Sequence, residues 1–395
     1  MGFPLLDGVR VLDLGRGHAG PYCAKLLADA GADVIHVERP GAGDPTRAAG
    51  PFAPEDSAHA FSASFAFLNA GKRSATLDYS RPSGAQLLRE LLAETDILVE
   101  NGRPGTLERH GLGPESLRAI NPALVHVSIS SYGLSGPYRD LPASEMTLQA
   151  AAGLMDGNGD LGRPPLRYPM NLAQHWAGAN AAYTGLIAYW QALLSGEGQQ
   201  VEVSIQESLA TSWWSVWADY QYTGCLQARG QTAELLPAAD GMMMLRWQTS
   251  VPWEEYAIAM DALELVTDPD LQPPTGLMRN FGRVHDILST HTPSRTRRAW
   301  MDTAIAYQLP AGILQSLDEV ARCEQHEARG FWDRVGTPWG AEVRFPGRFS
   351  VIDGEAPGGR LRVVPRLGEH NEQIYGERLG RTPAELERLR SEGAI

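Results

Sequence analysis

Residues 6–47 read as strand, glycine turn, helix, strand and closing loop, and that order leaves a chain few folds to enter. Val9–Leu14 is a short apolar run ending on glycine, Tyr22–Ala30 carries apolar residues at helical spacing, and Ala32–Val37 is a second β-rich run. A strand, a crossover helix and a second parallel strand close as a right-handed βαβ unit. Within it lies Gly15-x-Gly17-x-x-Gly20, and the acid Glu38 ends the second strand. That is the outline of a dinucleotide fingerprint, with NAD as one ligand. Pro21 follows the third glycine and suits the first turn of a helix, where no N–H donor is needed. The free amides of that helix start are placed to receive an anion. The same glycines also serve as a plain tight turn, and a lone pattern of this kind does not choose between the two.

Further strands extend the pattern. Ser83–Glu94 is an amphipathic helix, Thr95–Val99 a third strand entering Asn101–Gly105, and Leu124–Ser130 a fourth. Strands alternating with helices predict an α/β fold with a Rossmann-like, doubly wound parallel sheet. Leu172–Leu194 reads as a helix in which Ala177, Gly178, Ala181 and Ala182 allow close packing, and Val201–Ile205 as a short strand. The helix over Glu207–Tyr222 holds Trp213, Trp214 and Trp217, a cluster expected to be buried, with a ligand box as the other use of such rings. Composition turns loose near Gln227–Gly241. The expected division is therefore 1–225 as the N-terminal part of a large domain and 226–335 as a smaller, mainly helical α+β domain. Residues 336–395 then return to the large domain. Ser294 is the expected N-cap of a helix over Arg295–Tyr307, and Pro383–Ser391 is the last helix.

A net charge of −13 argues against nucleic acid, which needs a basic face, but permits a local basic pocket for one polyphosphate. Cys23, Cys225 and Cys323 lie far apart and read as reduced thiols. With no leader-like start and no apolar run of about 18 residues, a cytoplasmic protein is expected and a membrane partner is not. Neither a zinc-type Cys/His cluster nor a His-Glu-x-x-His motif occurs, so no metal is expected. No Gly-x-Ser-x-Gly elbow occurs either.

Several longer blocks carry a more specific signal: LDGVRVLDL, AGPYCAKLLADAGADVIHVERPGAGDPTR, LNAGKRSATLD, TDILVENGRPGTLERHGLG, LVHVSISSYGLSGPYRD and PRLGEHNEQI. In sequence and in order they resemble family III CoA-transferases, the CaiB/BaiF family, from Leu6 to the C-terminus and most thinly over about 225–340. The resemblance implies a CoA-binding Rossmann-like domain, a smaller domain inserted late, and two interlocked chains. CoA or acyl-CoA would then be substrate, with a carboxylic acid as the second. The family's CoA contacts fall on His18, Ala19, Arg39, Asn69, Ala70, Gly71, Lys72, Asn101, Gly102, Arg103 and Arg109. Gly102 stands where members often carry an aromatic ring. Arg39, Lys72, Arg103 and Arg109 are cations following strands, where a 3′-phosphate and a diphosphate need partners.

The family's nucleophilic aspartate aligns with Gln174, in Asn171-Leu-Ala-Gln-His-Trp-Ala-Gly178. A carboxamide cannot form and release the mixed anhydride that a carboxylate forms. Asn171 and His175 nearby are no acids, and Asp156 and Asp160 lie in a glycine-rich stretch that reads as an exposed loop. Glu145 matches an acidic family position, with Ser144 in place of the usual tyrosine or histidine. It is the expected auxiliary group, with a helix-capping glutamate as the other reading. His18 near a leaving thiolate would stabilise it electrostatically. The reading carried forward is a CoA-transferase subunit without its own nucleophile, paired with a complete homologous subunit. The alternatives are a homomeric transferase with a substitute nucleophile, a non-catalytic CoA-binding protein, an acyl-CoA racemase or isomerase, and an NAD enzyme.

Overall fold

A six-stranded sheet in the order β3-β2-β1-β4-β5-β6 carries the fold. Its strands are β1 (Arg10–Asp13), β2 (Asp33–Glu38), β3 (Arg73–Thr76), β4 (Ile97–Glu100), β5 (Val125–Ser130) and β6 (Gln200–Ser204), paired in parallel throughout. The computed structural model describes the chain apart from residues 1–4, 57–58, 160–161, 227–234, 249, 274–275, 277–278, 348–349 and 355–360. Strand order reverses between β1 and β4, and such a switch point opens a crevice at the carboxyl ends of the strands.

Alternation along the strands builds a core on each face. Val11, Ile97, Val99, Val125, Val127 and Ile129 point to one side, where α1 (Ala19–Asp29) and α7 (Leu172–Ser195) pack. Leu12, Ile35, Val37 and Leu98 point to the other, under α3 (Pro82–Ala93) and the C-terminal helix Pro383–Ser391. The small face of α7 allows it to lie close: a Cβ on Gly178 would stand 2.7 Å from the Ala19 carbonyl oxygen.

Strand β3 carried no sequence signal, because Arg-Ser-Ala-Thr has no apolar run. Tertiary partners hold it. The Ser74 hydroxyl donates to Glu38 at 2.6 Å, and the Thr76 amide donates to Asn371 Oδ1 at 2.9 Å. The Tyr375 hydroxyl donates to the Thr76 carbonyl at 2.9 Å. Residues 365–375 thereby cover what would otherwise be a bare sheet edge.

Two further expectations are corrected. The Glu207–Tyr222 helix breaks into α8 (Ile205–Ala210), a turn of 3-10 helix over Thr211–Trp213, and α9 (Trp214–Thr223). Only Trp213 is partly buried; Trp214 and Trp217 are 72% and 50% exposed. Helix Arg297–Ala306 begins later than expected because Arg295 is extended, and its N-cap is Thr296, whose hydroxyl accepts from the Ala299 amide. The Ser294 hydroxyl instead donates to the His291 carbonyl.

The chain divides into two compact units. One takes residues 1–158, 165–227 and 325–395, and the other takes 159–164 and 228–324. The second unit has a three-stranded antiparallel sheet of Leu235–Ala238, Gly241–Leu245 and Ala311–Ile313. Trp253, Tyr256 and Trp300 lie in its core.

Candidate functional site

The glycine turn at the switch point is fixed by side chains from three directions. Asp13 Oδ1 accepts from the Gly15 amide at 2.9 Å, Asn101 Oδ1 from Arg16 at 2.7 Å, and Asp44 Oδ2 from Gly17 at 3.0 Å. Asn101 also donates to the Arg16 carbonyl at 2.8 Å, so its amide ties β4 to the turn. Gly15 and Gly20 meet so closely that a Cβ on either would stand 2.8 Å from the other's backbone. The amides of Gly15, Arg16 and Gly17 are thus occupied, whereas those of Ala19 and Gly20, at the start of α1, have no partner within the helix and can meet an anion.

Beneath the turn lies a buried ionic network. Lys72 Nζ donates to Asp13 Oδ2 at 2.9 Å, to the Pro21 carbonyl at 2.8 Å and to Asn69 Oδ1 at 2.9 Å. His36 Nδ1 lies 2.9 Å from the same Asp13 oxygen, and its Nε2 is 4.0 Å from Asp44. Burial pushes the Asp13 carboxyl up, but Lys72 and His36 overcome this and hold it well below the usual carboxylate range. Lys72 therefore departs from its expected use: all three of its hydrogens are bonded inside the protein, and its side chain is fully buried. Asn69 and Ala70 are buried with it, while the Gly71 backbone is exposed. Glu38 is bound by Arg47 at 2.6 and 2.7 Å and by Ser74, with no exposure for a ribose.

Two cavities flank the turn. The smaller, of ≈ 260 Å³, lies against the ends of β1 and β2 and is lined by Arg16, Arg39, Tyr79 and His110, among others. The larger, of ≈ 730 Å³, brings together Asn101, Gly102, Arg103, Arg109, Glu145 and Gln174. Of the sequence-expected residues, Arg39 thus lines the smaller cavity and these six the larger, while His18, Ala19, Asn69, Ala70, Gly71 and Lys72 line neither. Two cations of the cavity walls carry no signal of their own in the sequence: Arg16 stands between the patterned glycines, and Arg139 within the block LVHVSISSYGLSGPYRD. Among the described residues none of Arg16, Arg39, Arg103, Arg109 and Arg139 makes an ion pair. In a chain of net charge −13, five unneutralised guanidiniums around one end of a sheet make a site for an anionic ligand.

Gln174 sits in the first turn of α7. One residue earlier, the Ala173 amide donates to Glu145 Oε1 at 2.7 Å, and Gln149 Nε2 donates to the same oxygen at 2.8 Å. Glu145 opens α6 (Glu145–Ala151), but Ser144 caps that helix, so the carboxylate caps α7. Glu145 Oε2 is buried without a partner. On the other flank, Asn171 Nδ2 is 2.9 Å from His18 Nε2, and the His18 and His175 rings meet edge to face at 5.7 Å. Burial lowers both imidazoles, and proximity to His18 helps bring His175 to about 4, so both are neutral at physiological pH. Asp156 is exposed and is not in the wall of either cavity, and Asp160 lies outside the described residues. No group of three metal-ligating side chains occurs among the described residues, nor any helix long and apolar enough to cross a membrane.

The family profile described as CoA-transferase family III matches residues 6–371. The succinyl-CoA–D-citramalate CoA-transferase of Chloroflexus aurantiacus is 32% identical, covering 99% of this chain and 98% of that protein. Subunit BbsE of the succinyl-CoA:(R)-benzylsuccinate CoA-transferase of Thauera aromatica is 31% identical, over 98% of this chain and 97% of that one. Among solved structures, a CAIB/BAIF family protein from Brucella suis superposes with a TM-score of 0.81 at 28% identity, covering 94% of this chain and 98% of that chain.

Proposed function

The chain belongs to CoA-transferase family III, and from that premise we propose that it is the CoA-binding subunit of an enzyme moving CoA between an acyl-CoA and a free carboxylic acid. In this reading it has no nucleophile of its own and works beside a homologous, catalytically complete subunit. The observation that carries the proposal is Gln174, a carboxamide at the start of α7 in the wall of the cavity that holds Arg103 and Arg109. The guanidiniums bind the phosphates of CoA; the amide can orient a carbonyl by hydrogen bonds but cannot attack a thioester. The likeness to a protein named as one subunit of a transferase supports the heteromeric form.

The test is calorimetry and acyl transfer on the purified chain. It binds CoA and transfers no acyl group, and Gln174→Asp or co-expression with a complete homologue restores turnover. Robust turnover by the unaltered chain alone overturns the silent-subunit reading. A homomeric transferase is the second reading, favoured by one observation: Glu145 Oε2 is a carboxylate oxygen without a partner beside Gln174. Loss of that turnover in Glu145→Gln would assign the nucleophile there.

A further inference from the structure

Two of the unpaired guanidiniums stand together. Arg109 ends the short helix Thr106–Arg109, which follows β4, and Arg139 lies in the loop between β5 and α6. These neighbouring strands deliver both cations to one place. Arg139 Nη2 and Arg109 Nη1 are 3.6 and 3.7 Å from the point where a Cβ on Gly105 would lie. Gly105 has a φ of +80°, a left-handed backbone that favours glycine, and without a side chain it leaves the two guanidiniums over bare backbone.

The pair is oriented but not neutralised. Arg109 Nη2 donates to the Thr106 hydroxyl at 3.0 Å, and that hydroxyl donates to the Arg103 carbonyl at 2.6 Å. Arg139 Nε is buried without a partner, and no acceptor among the described residues takes any of the Arg139 N–H groups. Asp140 and Glu145 line the same cavity, yet among the described residues neither forms an ion pair with Arg109 or Arg139. Like charges side by side repel, and N–H groups withdrawn from water cost free energy until an acceptor arrives. A polyanion removes both costs. CoA has two phosphate groupings, the 5′-diphosphate and the 3′-phosphate. A single phosphoryl group is matched by one planar guanidinium through two parallel N–H bonds, whereas a diphosphate is matched by two such forks set side by side. Arg16 and Arg39, which line the smaller cavity, stand apart from this pair.

We propose that Arg139 joins Arg109 over Gly105 as a two-guanidinium clamp for the diphosphate of CoA. This rests on the reading of the cavity as a CoA site. The test is calorimetry on the full chain and on Arg139→Gln, Arg139→Lys, Arg109→Gln and the double glutamine variant. The ligands are CoA and dephospho-CoA, which keeps the diphosphate and lacks the 3′-phosphate. Arg139→Gln weakens both ligands alike by about tenfold, the worth of one charged hydrogen-bonded contact. Arg139→Lys keeps the charge without the fork and recovers part of that loss. The double variant departs from the product of the two single losses by about threefold or more, because two groups on one diphosphate do not act independently. Unchanged CoA affinity in Arg139→Gln overturns the proposal, and so do single losses that simply multiply. A loss seen with CoA and not with dephospho-CoA also overturns it, by moving Arg139 to the 3′-phosphate. If the unaltered chain binds neither ligand, the CoA reading itself fails.

Discussion

At the scale of single residues, Lys72 separates two uses of a cation. From the sequence it is a charge after a glycine, in position for a phosphate. In the structure it is the buried counter-ion of Asp13, with His36 on the same carboxylate oxygen. Removing one partner of such a pair strands the other charge in a poorly solvating interior, a loss of about 3–5 kcal/mol. Lys72→Met therefore lowers stability by about that amount in urea denaturation. CoA affinity at low denaturant falls only through loosening of the Gly15 turn that Asp13 holds. Unchanged stability with abolished CoA binding would return Lys72 to the phosphate.

At the scale of elements, α7 does two jobs on opposite faces. Ala177, Gly178, Ala181, Gly185 and Ala188 are buried against the sheet and α1, and their smallness sets how near α7 comes. Gly178 is the tightest point, with the Ala19 carbonyl at 2.7 Å and Cys23 N at 3.3 Å from where a Cβ would stand. Backbone cannot swing aside as a side chain can. Gly178→Val thus displaces the start of α1 and costs about 1–3 kcal/mol by overpacking. It also weakens CoA binding, because Ala19 and Gly20 hold the open amides. A variant of wild-type stability and CoA affinity would show that α1 tolerates the shift. The same element scale explains the failures of sequence reading. Strand β3 is polar because its partners are Glu38, Asn371 and Tyr375, residues up to 299 positions away. The tryptophans of α9 look like core residues by composition, yet nothing within the described chain covers Trp214 or Trp217.

At the scale of the whole molecule, uncovered apolar surface is the notable feature. On the outer face of α7, Tyr183, Ile187, Trp190 and Leu194 recur at helical spacing and are 56%, 63%, 66% and 69% exposed. Contiguous apolar patches of this kind are uncommon on monomers and mark association. Here the partner is expected to be a second family III chain, whether identical or homologous. Trp190→Glu places a charge in that patch, and sedimentation velocity should then show a dimer converted to monomer. A monomeric unaltered chain at tens of micromolar would remove this expectation.

The sequence by itself determined the βαβ unit, the parallel α/β class and the family, because these reside in local periodicity and in blocks of contiguous residues. Only the tertiary structure decided which cations remain free. Lys72 was taken into the interior by Asp13, whereas Arg16 and Arg139 stayed without counter-ions at the switch point. Charge pairing depends on distances between residues far apart in the chain, and burial turns a surface lysine into a structural one. No local pattern encodes either quantity.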